Sequence, residues 1–168
     1  MNHINNKVKW CLDKAQRESN EGKKHRGLLQ VTPNIKIARE HLTKAEHNLQ
    51  VTLYLHVGGY TDWCSSSLFY TIYHCFLAVL LKLGYESRNQ ECTFVCIQSL
   101  IEEKKVTFDI HDLKEISSLN NEQQDETAIN LREMYQYSPK TSLGNTEYTK
   151  LLNLAKKILY QTKEMIEQ

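Results

Sequence analysis

Apolar residues recur at helical spacing along almost the whole chain. Val8, Leu12 and Ala15 fall three or four apart and predict a first helix over residues 4–20, ended by Gly22. After a basic loop, Thr32-Pro33 reads as a start signal: a hydroxyl cap followed by proline at the first helical position, where its missing N–H costs nothing. Ile35, Ala38, Leu42, Ala45, Leu49 and Leu53 then form a regular stripe, with Lys36, Glu40 and Lys44 on the opposite side. Gly58-Gly59 stops this second helix, and Thr61-Asp62 is expected to cap the third.

The third helix, running to about Leu83 with Gly84 as its stop, is apolar nearly all round, so other helices must surround it. Ser87 to Gln90 has capping-box spacing and predicts a fourth helix through about Glu103. A short helix is expected over Thr107 to Leu119. Another spans Glu122 to Tyr137, with Ala128, Leu131 and Tyr135 on one face, before Pro139 and Gly144 break it. From Asn145 to the end, Tyr148, Leu151, Leu152, Ala155, Ile158, Leu159 and Ile166 make a final stripe. No alternating run is strong enough to predict a strand. The expected fold is all-α: an up-and-down bundle of about five main helices plus a short one, in a single domain over residues 1–168.

Composition changes this picture little. Two prolines and six glycines in 168 residues leave room for long helices. The net charge of +1 gives no global push toward nucleic acid or membrane. The halves differ, however. Residues 1–84 hold 11 Lys+Arg against 6 Asp+Glu, and residues 85–168 hold 10 against 14. That step points to a basic face centred on Lys23, Lys24, His25 and Arg26, or else to a solvated basic loop. The five cysteines, at 11, 64, 75, 92 and 96, are expected to serve as small buried hydrophobes in a reducing cytoplasm, since MNHINNKVKW has no apolar signal core. Cys92 and Cys96 would share a helix face, but no second ligand pair accompanies them, so no metal or other cofactor is expected. The apolar run at 76–81 is too short to span a bilayer.

Candidate chemistry sits mainly on the third helix. Ser67, Tyr70 and His74 line one of its faces, either as a reactive strip or as buried polar groups satisfying one another. His41 and His47 point away from each other on the second helix, which argues against a two-histidine metal site, and His56 is placed to face that helix's C-terminal dipole.

Several strings go beyond periodicity. They are HLTKAEHN at His41 to Asn48, the Gly-Gly-Tyr turn with Asp62-Trp63, SSSLFYTIYH at Ser65 to His74, Leu83 to Ser87, and LREMYQY at Leu131 to Tyr137. In order and spacing they resemble the HEPN domain family over residues 33–166. The resemblance implies a small helical bundle. It also implies kinship with metal-independent ribonucleases, many of them toxins paired with a small nucleotidyltransferase antitoxin, whose signature is arginine, four to six residues, then histidine, brought together across a dimer cleft. Arginine there would neutralise the scissile phosphate and histidine would move protons near neutral pH. Arg132 matches the arginine, but positions 137–139 are Tyr137, Ser138 and Pro139, and no other arginine has a histidine at that spacing. Acid–base help of about 10²–10⁴-fold should therefore be missing.

Three functions follow as expectations. The first is a catalytically silent, HEPN-like binding module in a homodimer, taking a nucleotide, RNA or a nucleotidyltransferase partner in a toxin–antitoxin-type pair, with Arg132, Tyr135, Gln136 and Tyr137 as its contact patch. Arg132 could instead pair with Glu133 while the tyrosines cover the bundle end. The second is a divergent metal-independent ribonuclease using Arg132, and the third a helical scaffold. No reading of DNA sequence is expected. Leu28, Leu29, Val31 and Phe108, outside the main stripes, are the residues expected to support self-association.

Overall fold

The computed structural model describes residues 3–117 and 127–168. The protein is an all-α helical bundle. In chain order its elements are α1 (His3–Asn20), β1 (Leu28–Gln30), α2 (Ile35–Val57), α3 (Thr61–Lys82), β2 (Tyr85–Ser87), α4 (Gln90–Glu102), α5 (Ile110–Ile116), α6 (Ala128–Tyr137) and α7 (Asn145–Glu167). Among the described residues there are six helices of ten or more residues and one of seven, beside the expected bundle of about five main helices plus a short one.

The all-round apolar α3 is the axis of the bundle. It packs against α2, α7 and α6, and more lightly against α4 and β2. Phe69, Ile72, Cys75, Phe76 and Leu80 on α3 have no solvent exposure, so this side of the helix has exchanged water for protein. The stretch is longer than the 76–81 run suggested: Thr61–Lys82 is long and apolar enough to cross a membrane by length and composition, and about two-thirds of its most apolar window (67%) is buried in the bundle. On α7, Tyr148, Leu151, Ala155, Ile158, Leu159 and Ile166 are buried as their spacing predicts, and Leu152 is half-buried.

Local chemistry moved several boundaries. Helix α2 starts after Thr32-Pro33, because the Asn34 side chain accepts from the Ile37 N–H and is the true cap. Thr61 and Asp62 do not cap α3; Tyr60 precedes its first turn without a side-chain bond, and the Thr61 hydroxyl accepts from the Leu143 N–H instead. Asn89, not Ser87, caps α4 by accepting from the Cys92 N–H. Helix α5 begins at an Asp109 cap, later than Thr107, and residues 118–119 of that expectation, like 122–126 of the next helix, lie outside the described residues.

A two-stranded antiparallel ribbon is present where no strand was expected. It pairs Leu28 with Ser87, Leu29 with Glu86 and Gln30 with Tyr85. Three residues per strand is too short for alternation to register in a sequence. Just before β2, Gly84 has φ +83°, and a Cβ there would lie 2.8 Å from the Val31 carbonyl oxygen, so glycine is required on both counts.

Two further expectations are corrected. Cys11 and Cys92, 81 residues apart, form a disulfide that ties α1 to the start of α4, while Cys64, Cys75 and Cys96 remain free and buried. Leu28 and Phe108 are core residues at 0% and 5% exposure and Leu29 and Val31 are half-buried, so this set is not a free self-association surface.

Candidate functional site between the second and third helices

Helices α2 and α3 form an antiparallel hairpin about the Gly58–Gly59 turn, and this hairpin gathers most of the polar residues of interest. Positions at near-equal distance from the turn face each other. Thr52 and Ser67 share a 2.7 Å hydrogen bond, and further out His41 Nδ1 lies 2.9 Å from His74 Nδ1. The histidine pair was missed from the sequence because His41 was compared only with its neighbour His47. Its signal was there in the hairpin's symmetry.

At 2.9 Å one Nδ1 must carry the hydrogen and the other must accept it, so at least the accepting ring is neutral and the two cannot both be protonated in this arrangement. Burial lowers the pKa of His41 against the raising effect of Glu40. Burial, then His41, then Lys44 push that of His74 down to about 4. Both imidazoles are therefore uncharged at neutral pH.

Ser67 and Tyr70, the other members of the α3 strip, are not equivalent to His74. The Ser67 hydroxyl is within hydrogen-bonding distance of the Trp63 and Cys64 carbonyls as well as Thr52, and is fully occupied. Tyr70 instead reaches α6, where its hydroxyl accepts from Arg132 Nη1 at 3.4 Å. The two sets of candidate residues, the α3 strip and the Arg132 patch, thus meet at Tyr70.

Arg132 is held on several sides. Its guanidinium lies 4.9 Å from the Phe69 ring centroid, its Nη2 donates to Glu133 at 2.9 Å, and its Nε is buried without a partner among the described residues. The remaining patch residues do not converge on it in one pocket: Tyr135 is half-buried, Gln136 is exposed, and Tyr137 is 78% exposed. His56, expected to face its own helix end, stacks on Tyr148 with centroids 3.9 Å apart.

A groove of about 460 Å3 runs along this hairpin. Lys44 and Asn48 line it from α2, and Trp63, Ser67, Tyr70 and His74 from α3. Lys44 has no carboxylate partner among the described residues, while its near neighbour Glu46 is paired with Lys163 at 2.5 Å. Trp63 is half-exposed, with its ring available at the groove edge. Chemically, the groove offers a cation without a carboxylate partner among the described residues, two aromatic faces and a neutral imidazole, a set suited to holding a flat, anionic ligand.

The basic loop lies elsewhere. Lys23, Lys24 and Arg26 line a separate cleft with Arg88, and His25 is 5% exposed rather than solvated. The free thiols offer no nucleophile, since burial raises Cys64 to about 11 and both Cys75 and Cys96 to about 12. Among the described residues no group of three or more His, Cys, Asp or Glu could hold a metal ion. No family model matches the sequence, and no characterised protein matches it.

Proposed function

We propose that the protein is a HEPN-like module that binds single-stranded RNA or a nucleotide in the α2–α3 groove and does not cleave it. The observation that carries this reading is the juxtaposition of Lys44, which has no carboxylate partner among the described residues, with the faces of Trp63 and Tyr70 in a groove of about 460 Å3, a volume suited to one nucleotide. Stacking of a base on such rings contributes about 1–3 kcal/mol, and the lysine complements a phosphate. Silence follows from the chemistry around Arg132. Its guanidinium is engaged by Tyr70 and Glu133, and the residues that follow Arg132 after a gap of four to six, Tyr137, Ser138 and Pro139, include no imidazole. A nuclease assay with end-labelled RNA, without metal, beside fluorescence-anisotropy binding of the same RNA tests it. Binding weakened by Trp63→Ala with no cleavage supports the reading; absence of binding overturns it.

One observation favours a second reading, the divergent ribonuclease. His74 stands one helical turn from Tyr70, the residue that contacts Arg132, so α3 is where this reading would find the imidazole absent from the motif. Its pKa near 4 makes it a weak base at neutral pH. Cleavage abolished by both Arg132→Ala and His74→Ala would establish this alternative.

Association, with a second copy of the chain or with a nucleotidyltransferase partner, belongs to the same proposal. Its support is the apolar surface at the hairpin tip, where Val57 is 88% and Tyr54 79% exposed beside Tyr60. Light scattering over a tenfold range of concentration, on the unmodified protein and on Val57→Lys, reads it.

A further inference from the structure

A second cleft, of about 910 Å3, opens between the end of α1, the loop after it and the residue that follows β2. Among the described residues, four cationic side chains, Lys23, Lys24, Arg26 and Arg88, line it with one carboxylate, Glu18. Three features make it a built site rather than a solvated loop.

The loop is fixed in place. Gly27 lies so close to α1 that a Cβ would sit 2.5 Å from the Cys11 carbonyl oxygen. The Arg26 backbone N–H donates to the Glu18 carboxylate, and the Arg88 N–H donates to the Gly27 carbonyl at 3.0 Å. The Cys11–Cys92 disulfide joins the two walls covalently. The cations are therefore positioned before any ligand arrives, which reduces the ordering cost of binding.

The buried histidine supports an arginine. His25 Nδ1 accepts from the Gly27 N–H at 3.5 Å, which leaves the hydrogen on Nε2 to be donated to Glu86 Oε1 at 3.2 Å. The same Glu86 oxygen accepts from Arg88 Nε at 2.6 Å. Burial alone would raise the Glu86 carboxyl, but the bonds from His25 and Arg88 outweigh it and hold its pKa down, so it stays ionised. Arg88 is thus oriented through Nε, and its terminal NH2 groups have no hydrogen-bond partner among the described residues.

The local carboxylates are already engaged. Glu21 pairs with Lys23, Glu86 with Arg88, and Glu18 with the Arg26 backbone. Lys24 and Arg26 have no ion-pair partner among the described residues, so the cleft has uncompensated positive charge.

We propose that this cleft binds a small ligand carrying adjacent phosphate groups, such as the polyphosphate of a nucleotide, with Arg26 and Arg88 as its forked donors and Lys24 as a further charge. Forked guanidinium groups match phosphate oxygens in pairs, and adjacent phosphates need the several cations gathered here. The site is independent of the α2–α3 groove.

The test is calorimetric titration of the full chain carrying Trp63→Ala, so that stacking in the other groove does not contribute, with inorganic tripolyphosphate, ATP, adenosine and oligouridylate as separate probes. Tripolyphosphate and ATP should bind and adenosine should not. Affinity should fall as salt is raised, and drop by about tenfold for each of Arg26→Gln and Arg88→Gln, the loss expected for a charge-assisted bond. Equal binding of tripolyphosphate and ATP would identify the phosphates as the recognised group, and tighter ATP binding would add its base. Thermal melts of both variants show that the fold persists, and tripolyphosphate raising the melting temperature of the unmodified chain but not of the variants is the second readout. Absence of tripolyphosphate and ATP binding, affinity indifferent to both substitutions, or binding of oligouridylate alone would overturn the proposal, the last in favour of a nucleic-acid surface.

Discussion

His41 and His74 share one hydrogen between their Nδ1 atoms, 2.9 Å apart, across the α2–α3 interface. Each ring is kept neutral by burial, and each would repel the other if both were charged. The pair therefore couples the packing of α2 against α3 to pH.

The sign of that coupling follows from the lowered folded-state values. In the unfolded chain both histidines take up protons near 6.5, whereas His74 in the fold does so only near 4. Below about 6.5 the unfolded state binds more protons, so stability is full above that pH and declines as pH falls toward 4. Urea unfolding should show a lower midpoint at pH 5 than at pH 7.5, and His74→Gln should flatten the difference. An unchanged slope in the variant would remove the pair as its cause.

Arg132→Ala should destabilise the fold by about 1–2 kcal/mol, through loss of the contact with the Phe69 face and of the hydrogen bond to Tyr70. Arg132→Lys should recover only part of this, since an ammonium cannot stack and fork at once. Chemical denaturation of the three proteins measures it directly.

The Cys11–Cys92 bridge closes a loop across 81 positions of sequence. By the chain-entropy argument its removal in Cys11→Ser should cost about 4.5 kcal/mol. A melting curve with and without a dithiol reductant reads the same effect. The Cys11→Ser protein should no longer respond to the reductant, because Cys64, Cys75 and Cys96 are free in either state.

Gly84→Ala places a side chain at φ +83° and against the Val31 oxygen. It should lower stability by about 1–2 kcal/mol from the left-handed backbone alone, with further loss as the β1–β2 ribbon is displaced. By contrast Gly22→Ala, where the same half of φ space is used but nothing lies within 4 Å, should show the backbone cost without the clash. The difference between the two variants isolates the contact.

What the sequence determined by itself was periodic. The stripes of α2 and α7 and the all-round apolar α3 defined a helical bundle with α3 at its centre, because a helix's pattern of burial repeats every few residues and is written locally. The stops at Gly22, Gly58-Gly59 and Gly84 were equally local. Cap positions were ambiguous within two or three residues, since Thr32 and Ser87 are as competent in chemistry as Asn34 and Asn89, which took the caps, while the Thr61 hydroxyl is occupied by the Leu143 N–H and α3 has no side-chain cap. Only the tertiary structure decided the relationships between distant residues. It joined Cys11 to Cys92, paired β1 with β2, set His41 against His74, and brought Arg132 to Tyr70. These contacts connect residues 33 to 81 positions apart, and no spacing rule records them. They arise when amphipathic helices bury their stripes together, and that packing decides which polar groups on their margins become neighbours.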